Sequence, residues 1–347
     1  MLAAVYHGPE DVRLEEVPVP IIGADEVLLK VANAGICGTD LRIWHGAHRK
    51  FPPGTVRIPG HELVGDIAEL GANVKGLEPG ERVFVAPNMG CGHCRQCVSG
   101  NNNRCARYEA IGVTMDGAFA EYVRIPAAAI LQGNLIRLAA QADPAAAALI
   151  EPFACVLRGQ DAVAVRPGEV VLVVGAGPIG VMHVMLARLR GAGRVIVSDL
   201  LPDRLRLAIR TGADRTVSPL QEDLAAVIAE ESGGEGADVI IVAAPAAGAQ
   251  EEALKLSAIG GRINLFGGLP REQSTIRFDS NLVHYKELVV TGTTACSTAD
   301  CWRAAALVNS GRVDLSHLVS ARFPLSEALQ ALAAAEDRKS LKVVIEP

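Results

Sequence analysis

Residues Val170 to Val174 form a short β-branched run that leads straight into Gly175-Ala-Gly177-Pro178-Ile179-Gly180. A helical pattern follows to Leu189, then a second apolar run, Arg194 to Ser198, closed by Asp199. Few folds accept this order. A buried strand, a turn with three glycines and a helix make a βαβ unit on a parallel sheet. Gly175 permits the tight turn, Gly177 lets the backbone approach a pyrophosphate, and Gly180 allows helix and strand to pack closely. With Pro178 and Ile179 these glycines complete a phosphate turn whose helix N-terminus attracts negative charge. Asp199, 19 residues after Gly180, is placed to accept from adenosine ribose hydroxyls. A carboxylate there repels a 2′-phosphate, so NAD is expected over NADP. Arg204, five residues further on, reads either as a neighbour of the adenine or as a surface arginine on the next helix. His183 reads as a packed residue within the first helix.

At 347 residues the chain exceeds the size at which one core keeps growing, so two domains are expected. From residue 3 to about 130, short β-rich segments such as 27–31, 82–85 and 120–123 alternate with turn signals such as Gly23-Ala-Asp and Glu78-Pro-Gly. From about 144 the pattern becomes α/β, with a helix predicted over 144–165 and further strands at 239–243, 262–266 and 288–291, the second preceded by a Gly260-Gly261 turn. Ser297 or Thr298 caps a helix ending before Gly311, and a last strand covers 342–345. Boundaries near 150 and 290 are expected, with 291–347 returning to the first domain. The longest apolar stretches are strand-sized and the N-terminus lacks a signal-peptide pattern, which suggests a soluble cytoplasmic protein. A net charge of −6 with no long basic tract gives no reason to expect nucleic acid or a membrane as partner.

Cysteine usage adds metal chemistry. Cys91, Cys94, Cys97 and Cys105 form a C-x2-C-x2-C-x7-C run on a Gly-rich loop around residues 88–108. Four thiolates close a tetrahedral Zn²⁺ shell, the description of a structural site. Cys37, His61 and a carboxylate make an incomplete mixed set, as a catalytic zinc requires. Two zinc ions per chain are therefore expected. Cys155, Cys296 and Cys301 are left over, and a chain this large with such usage fits a reducing compartment.

These residues together resemble the zinc-containing medium-chain dehydrogenases/reductases, particularly the sorbitol (polyol) and threonine dehydrogenase branch. The likeness rests on Cys37-Gly-Thr39-Asp40, Gly60-His61-Glu62-Leu-Val-Gly65 continuing to Gly71 and Val74, the cysteine run, Glu151-Pro152, the cofactor turn and Asp337-Arg338-Lys339-Ser340-x-Lys342-Val343-Val344. It implies a GroES-like catalytic domain interrupted by a Rossmann domain, with the active site in the cleft between them. A homotetramer or homodimer joined through the Rossmann sheet edge is also implied. By the same resemblance Cys37 and His61 are zinc ligands, with Glu62 or Glu151 as the carboxylate.

The reaction so implied is reversible oxidation of a secondary alcohol of a polyol or sugar derivative to a ketone by NAD⁺, with Zn²⁺ lowering the pKa of the alcohol. Thr39 matches the family's substrate-binding hydroxyl. Many relatives carry a histidine five residues after the zinc cysteine to end the proton relay; this chain has Arg42, which is no base at neutral pH. His45, His48 or ordered water remain to take the proton. Arg42, Arg49, Lys50 and Arg57 against the single acid Asp40 read as a cationic entrance for an anionic substrate or as a solvated loop. Trp44, Phe119 and Tyr285 read as pocket walls or as packing. The alternatives are a threonine-type amino-alcohol dehydrogenase and a non-catalytic zinc- and nucleotide-binding relative.

Overall fold

The computed structural model describes residues 1–337 and 340–347. Arg338 and Lys339 of the terminal motif lie outside the described residues. The chain divides into two compact units, Met1–Ala154 with Cys296–Pro347, and Cys155–Ala295.

The first unit is built on a seven-stranded sheet ordered Val319–Pro324, Lys342–Glu346, Val27–Gly35, Glu62–Leu70, Arg82–Val85 and Leu135–Arg137, with Tyr122–Ile125 also paired to Val27–Gly35. Val27, Leu29 and Val31 alternate toward the core, where they meet Leu63, Ile67, Val83, Val123 and Ile345. That period of two is what a strand with one buried face demands. Two register facts matter for function. Gly35 pairs with Glu62, and Val344 pairs with Gly35. The segment after Gly35 and the start of the 62–70 strand are thereby brought beside the C-terminal strand.

The helix expected over 144–165 is two helices, Pro144–Ala148 and Ile150–Val163. Pro152 explains the break. It has no N–H for the carbonyl of Ala148, and its ring would crowd that oxygen, so the helix restarts with Pro152 in the first turn, where no donor is needed. Glu151 falls in the same turn. Later in the chain Ser297 caps Thr298–Asn309 reciprocally: its Oγ accepts from Asp300 N at 3.2 Å, and Asp300 Oδ2 accepts from Ser297 N at 2.9 Å.

The second unit is a six-stranded parallel sheet ordered Arg215–Val217, Arg194–Ser198, Val170–Val174, Ala237–Val242, Ser257–Leu265 and Val289–Thr291. Val171, Val173, Val195 and Val197 fill one layer, and Leu172, Ile196, Ile240 and Ile263 the other. Burial on both faces is why these strands read as continuous apolar runs. Gly260 and Gly261 lie inside the 257–265 strand instead of in a turn ahead of it. The register slips between the Ala237–Ser257 and Val239–Arg262 pairs, and Gly260, at φ +72°, absorbs the extra residues as a bulge. Strand order reverses between Val170–Val174 and Ala237–Val242, the position where open α/β sheets take ligands at the carboxyl ends of their strands. No described helix is long and apolar enough to cross a membrane.

Candidate functional site

The four cysteines of the 91–105 run converge. Cys94 Sγ lies 3.5 Å from Cys97 Sγ and 3.8 Å from Cys105 Sγ, and Cys91 Sγ lies 4.0 Å from Cys97 Sγ. Zn–S bonds of about 2.3 Å in a tetrahedron require S···S separations of about 3.8 Å, so the set fits zinc. The turn is shaped around the sulfurs. Gly92 has φ +82°, and a Cβ on Gly90 would stand 2.4 Å from Cys97 Sγ. Backbone N–H groups from Cys91 and Arg107 reach Cys105 Sγ at 3.3 Å each. The His93 N–H is the main cause that brings the Cys91 thiol down to about 5, whereas burial raises Cys97 to about 11. A cation shared by all four favours the thiolate form throughout.

A second group forms where the sheet register predicts. Cys37 Sγ, a ring nitrogen of His61 and a carboxylate oxygen of Glu62 lie within 4.8 Å of one another. Cys37 is the N-cap of the short helix Gly38–Trp44, and its N–H donates to Asp40 Oδ2 at 2.8 Å. Asp40 Oδ1 stands 3.3 Å from His61 Nδ1, so one carboxylate faces both candidate ligands. The approach to His61 is fixed by glycines. Gly60 has φ +98°, and a Cβ there would stand 2.6 Å from the Phe119 ring; on Gly112 or Gly117 it would run into the Gly60 carbonyl. Phe119, 1% exposed, is therefore packing that sets this bend.

Asp40, His61, Glu62, Glu151 and Lys342 are all buried. Buried charge is costly unless paired or bound to metal. Burial alone would push His61 down, but Asp40 and Cys37 outweigh it and hold the imidazole well above its ordinary range. The site thus attracts a cation, and a metal ion is the cation that a thiolate, an imidazole and a carboxylate fit together. Glu151 stands outside the Cys37–His61–Glu62 trio. Its carboxyl accepts from Cys296 Sγ at 3.5 Å, and burial raises its pKa. Glu62 is held by Lys342: Nζ reaches its two oxygens at 2.5 and 2.6 Å and the Ile36 carbonyl at 2.9 Å. Asp40 and Lys342 were missed as site residues in the sequence. For Asp40 the signal was an acid three residues after an N-cap; for Lys342 it was a lone lysine in an apolar strand.

The loop between Cys37 and His61 sorts its charges. Arg42 Nη2 donates to Thr39 Oγ1 at 2.9 Å. Arg57 is structural: it donates to the carbonyls of Lys50 and Val113 and lies 4.9 Å over the Phe51 ring. Among the described residues no carboxylate pairs with Arg42, Arg49 or Lys50, and all three are exposed. His45 turns away to Glu336 at 2.7 Å and Glu10 at 3.6 Å. His48 accepts from Lys50 N at 3.3 Å through Nδ1. Partial burial, with Arg42, His61 and Arg49 nearby, brings it down to about 4, so it is neutral at pH 7 with its proton on Nε2. Neither histidine has the form of a base that ends a relay. Trp44 stacks on His45 at 5.0 Å, and Tyr285 is 76% exposed.

In the second unit the three glycines form a tight turn between strand and helix. Gly175 takes φ +100°, and Gly177 is the N-cap of Pro178–Leu189, with Ile179 behind it. A Cβ on Gly180 would stand 1.7 Å from the Gly175 carbonyl. Asp199 bridges turn and strand, accepting from Ala176 N at 2.6 Å and Leu201 N at 2.8 Å. Arg204 borders the turn, its Nη1 3.7 Å from where a Gly177 Cβ would be. His183 is core: it packs edge-on to Phe266 at 4.8 Å, and burial lowers it to about 3.

Comparison with known proteins agrees with both units. Residues 23–134 match the alcohol dehydrogenase GroES-like domain, and residues 178–310 match the zinc-binding dehydrogenase family. The chain is 35% identical to L-threonine 3-dehydrogenase of Bacillus subtilis, covering 96% of this chain and 94% of that protein. It is 34% identical to L-galactonate-5-dehydrogenase of Escherichia coli K12, covering 94% and 92%. A solved zinc-binding dehydrogenase from Sinorhizobium meliloti 1021, bound to NADP, superposes with a TM-score of 0.92 at 33% identity over 100% of this chain and 99% of that one. With the four-cysteine cluster, the Cys37–His61–Glu62 group, a glycine-rich strand-to-helix turn and this similarity along nearly its whole length, the chain belongs to the zinc-containing medium-chain dehydrogenase/reductase family, in its threonine and sorbitol dehydrogenase-like branch.

Proposed function

We propose that this protein oxidises a secondary alcohol of a polyol or sugar derivative to a ketone, with NAD⁺ as hydride acceptor. The observation that carries this reading is the trio Cys37, His61 and Glu62, a mixed donor set whose histidine and carboxylate are buried and whose thiol is half-buried. In this reading the first unit is catalytic and the second holds the dinucleotide. Gly175, Gly177, Pro178, Ile179 and Gly180 receive the pyrophosphate, Asp199 the ribose, and Arg204 the edge of the same site. The bound groups would supply Lewis acidity from Zn²⁺ and a hydride acceptor from nicotinamide.

The protein's own residues do the rest. Cys37 and His61 hold the metal, oriented by Asp40, with Glu62 or Glu151 as the carboxylate. Thr39 Oγ1 takes the proton of the substrate hydroxyl. Arg42 donates to that same oxygen, which favours the hydroxyl giving up its own proton in turn. The proton leaves to water, since His45 is engaged with Glu336 and His48 already carries its proton on Nε2. Arg42 and Arg49, exposed and with no carboxylate partner among the described residues, favour a substrate bearing a carboxylate. Threonine and galactonate, named for two relatives, both bear one, so a threonine-type amino-alcohol substrate is the second reading.

Two features support the wider setting. No disulfide forms among the described residues, as suits a reducing cytoplasm. The edge strand Val289–Thr291 and its surroundings expose Val289 (52%), Tyr285 (76%) and Ile259 (75%), a surface suited to a homo-oligomer. The test is NADH formation over polyols, aldonates, sugar phosphates and threonine, before and after chelation and zinc restoration. Turnover that zinc restores supports the reading. Turnover indifferent to chelation, with one zinc per chain, would remove it.

A further inference from the structure

Glu62 has two claimants. One is the metal that Cys37 and His61 fit, within whose reach its carboxylate already lies. The other is Lys342, whose ammonium has three donors and uses all three: two on Glu62, at 2.5 and 2.6 Å, and one on the Ile36 carbonyl at 2.9 Å. We propose that Lys342 is a positioning residue that holds Glu62 beside the metal rather than on it, keeping one coordination place open. This rests on the reading that Cys37 and His61 bind zinc.

Three features of the fold support the assignment. Lys342 comes from the C-terminal strand, which docks on the segment leading to Cys37: Val344 pairs with Gly35, and Ile36 N donates to the Val343 carbonyl at 2.9 Å. One side chain therefore ties the residue before Cys37 to the residue after His61. Gly35 clears the space. A Cβ there would stand 2.2 Å from Glu62 Oε2, so any other residue would drive the carboxylate off its present course. Finally, both partners are buried, Glu62 at 0% and Lys342 at 5% exposure. A buried carboxylate robbed of its cation is strongly destabilised and must bind another cation or take up a proton. With Lys342 gone, the metal that Cys37 and His61 would hold is a cation open to Glu62, whose carboxylate already lies within 4.8 Å of both donors.

The test uses the full-length, metal-loaded protein with Lys342→Met, Lys342→Arg, Glu62→Gln and the Lys342→Met/Glu62→Gln double variant. Three readouts serve: metal content per chain, the visible spectrum after Co²⁺ replaces Zn²⁺, and the rate of zinc release to a chelator. The four-cysteine cluster is common to all variants, so differences report the Cys37–His61 site. Lys342→Met is expected to alter the cobalt spectrum, slow zinc release from that site at least tenfold and lower kcat. The double variant returns spectrum and release rate to wild-type values, and Lys342→Arg stays near them. Glu62→Gln alone leaves the cobalt spectrum unchanged, which tests the proposal even where Lys342→Met does not fold. A changed spectrum in Glu62→Gln, or a Lys342→Met protein with wild-type spectrum and release, overturns it. If wild type holds one metal, or if Cys37→Ala leaves the count at two, the zinc reading itself fails and takes this inference with it. Two metals with an indifferent Lys342→Met remove the inference alone.

Discussion

Gly177 and Gly180 stand three residues apart in one turn, yet alanine at each position should fail for a different reason. A Cβ on Gly180 would lie 1.7 Å from the Gly175 carbonyl and 3.6 Å from Val173 Cγ1, where ordinary contact begins at 3.4 Å. The helix start or the carbonyl must therefore yield by about 1.7 Å, the difference of the two figures. Overpacking of this kind costs about 1–3 kcal/mol. At about 2–4 °C per kcal/mol for a unit of this size, Gly180→Ala should lower Tm by roughly 2–12 °C. It also displaces N–H donors from the phosphate. One such bond to a charged group is worth about 1.5–3 kcal/mol, so NADH should bind about 10–100 times more weakly. At Gly177 a Cβ meets nothing nearer than Arg204 Nη1 at 3.7 Å, and φ is −67°. Gly177→Ala should keep the wild-type Tm while its methyl occupies the path by which a pyrophosphate approaches the backbone, weakening NADH at least tenfold. Calorimetry and NADH fluorescence titration separate the two outcomes. Wild-type Tm and affinity in Gly180→Ala, or unchanged NADH affinity in Gly177→Ala, would refute the assignment of the turn.

Further outcomes follow from other parts of the molecule. Cys105→Ser should drop the zinc count by one per chain and lower thermal stability while leaving the Cys37–His61 metal in place, measured by metal analysis and calorimetry; an unchanged count would exclude the four-cysteine site. Asp199→Ala removes the charge that repels a 2′-phosphate and should narrow the preference for NAD over NADP about tenfold in kcat/KM, the worth of about 1.4 kcal/mol. His183, held at about 3 by burial, has a folded pKa below the unfolded value of 6.5, so the unfolded state takes up its proton first and stability falls as pH drops below 6.5. At 1.36 kcal/mol per pH unit the loss at pH 5 is about 2 kcal/mol. Urea unfolding at pH 7.5 and 5 should show this drop in wild type and a smaller one in His183→Met; equal drops would mean that the acid sensitivity lies elsewhere.

What the sequence makes legible, and what it hides, divides along one physical line. Val170–Val174, the glycine turn and the helix to Leu189 can be read because each is a local requirement: a strand buried on both faces, a turn that no Cβ fits, a helix start near a phosphate. The four cysteines are legible for the same reason, since a short loop must supply all the donors. Charges are different. Arg42, Arg49, Lys50 and Arg57 look alike in a list, but Arg57 spends its donors on two carbonyls and the Phe51 ring, which leaves it a fastening of the loop. Nothing local distinguishes it, because the Val113 carbonyl lies 56 residues away. Lys342 is the extreme case. Its partners are 280 and 306 residues distant, and only the register of the last strand against Val27–Gly35 delivers it. A slip of one residue would point Lys342 to the opposite face of the sheet. The hold of Lys342 on Glu62 is therefore not encoded near either residue: it is set by the strand that returns last, and by Gly35 opposite, which leaves room for the carboxylate to turn toward the lysine.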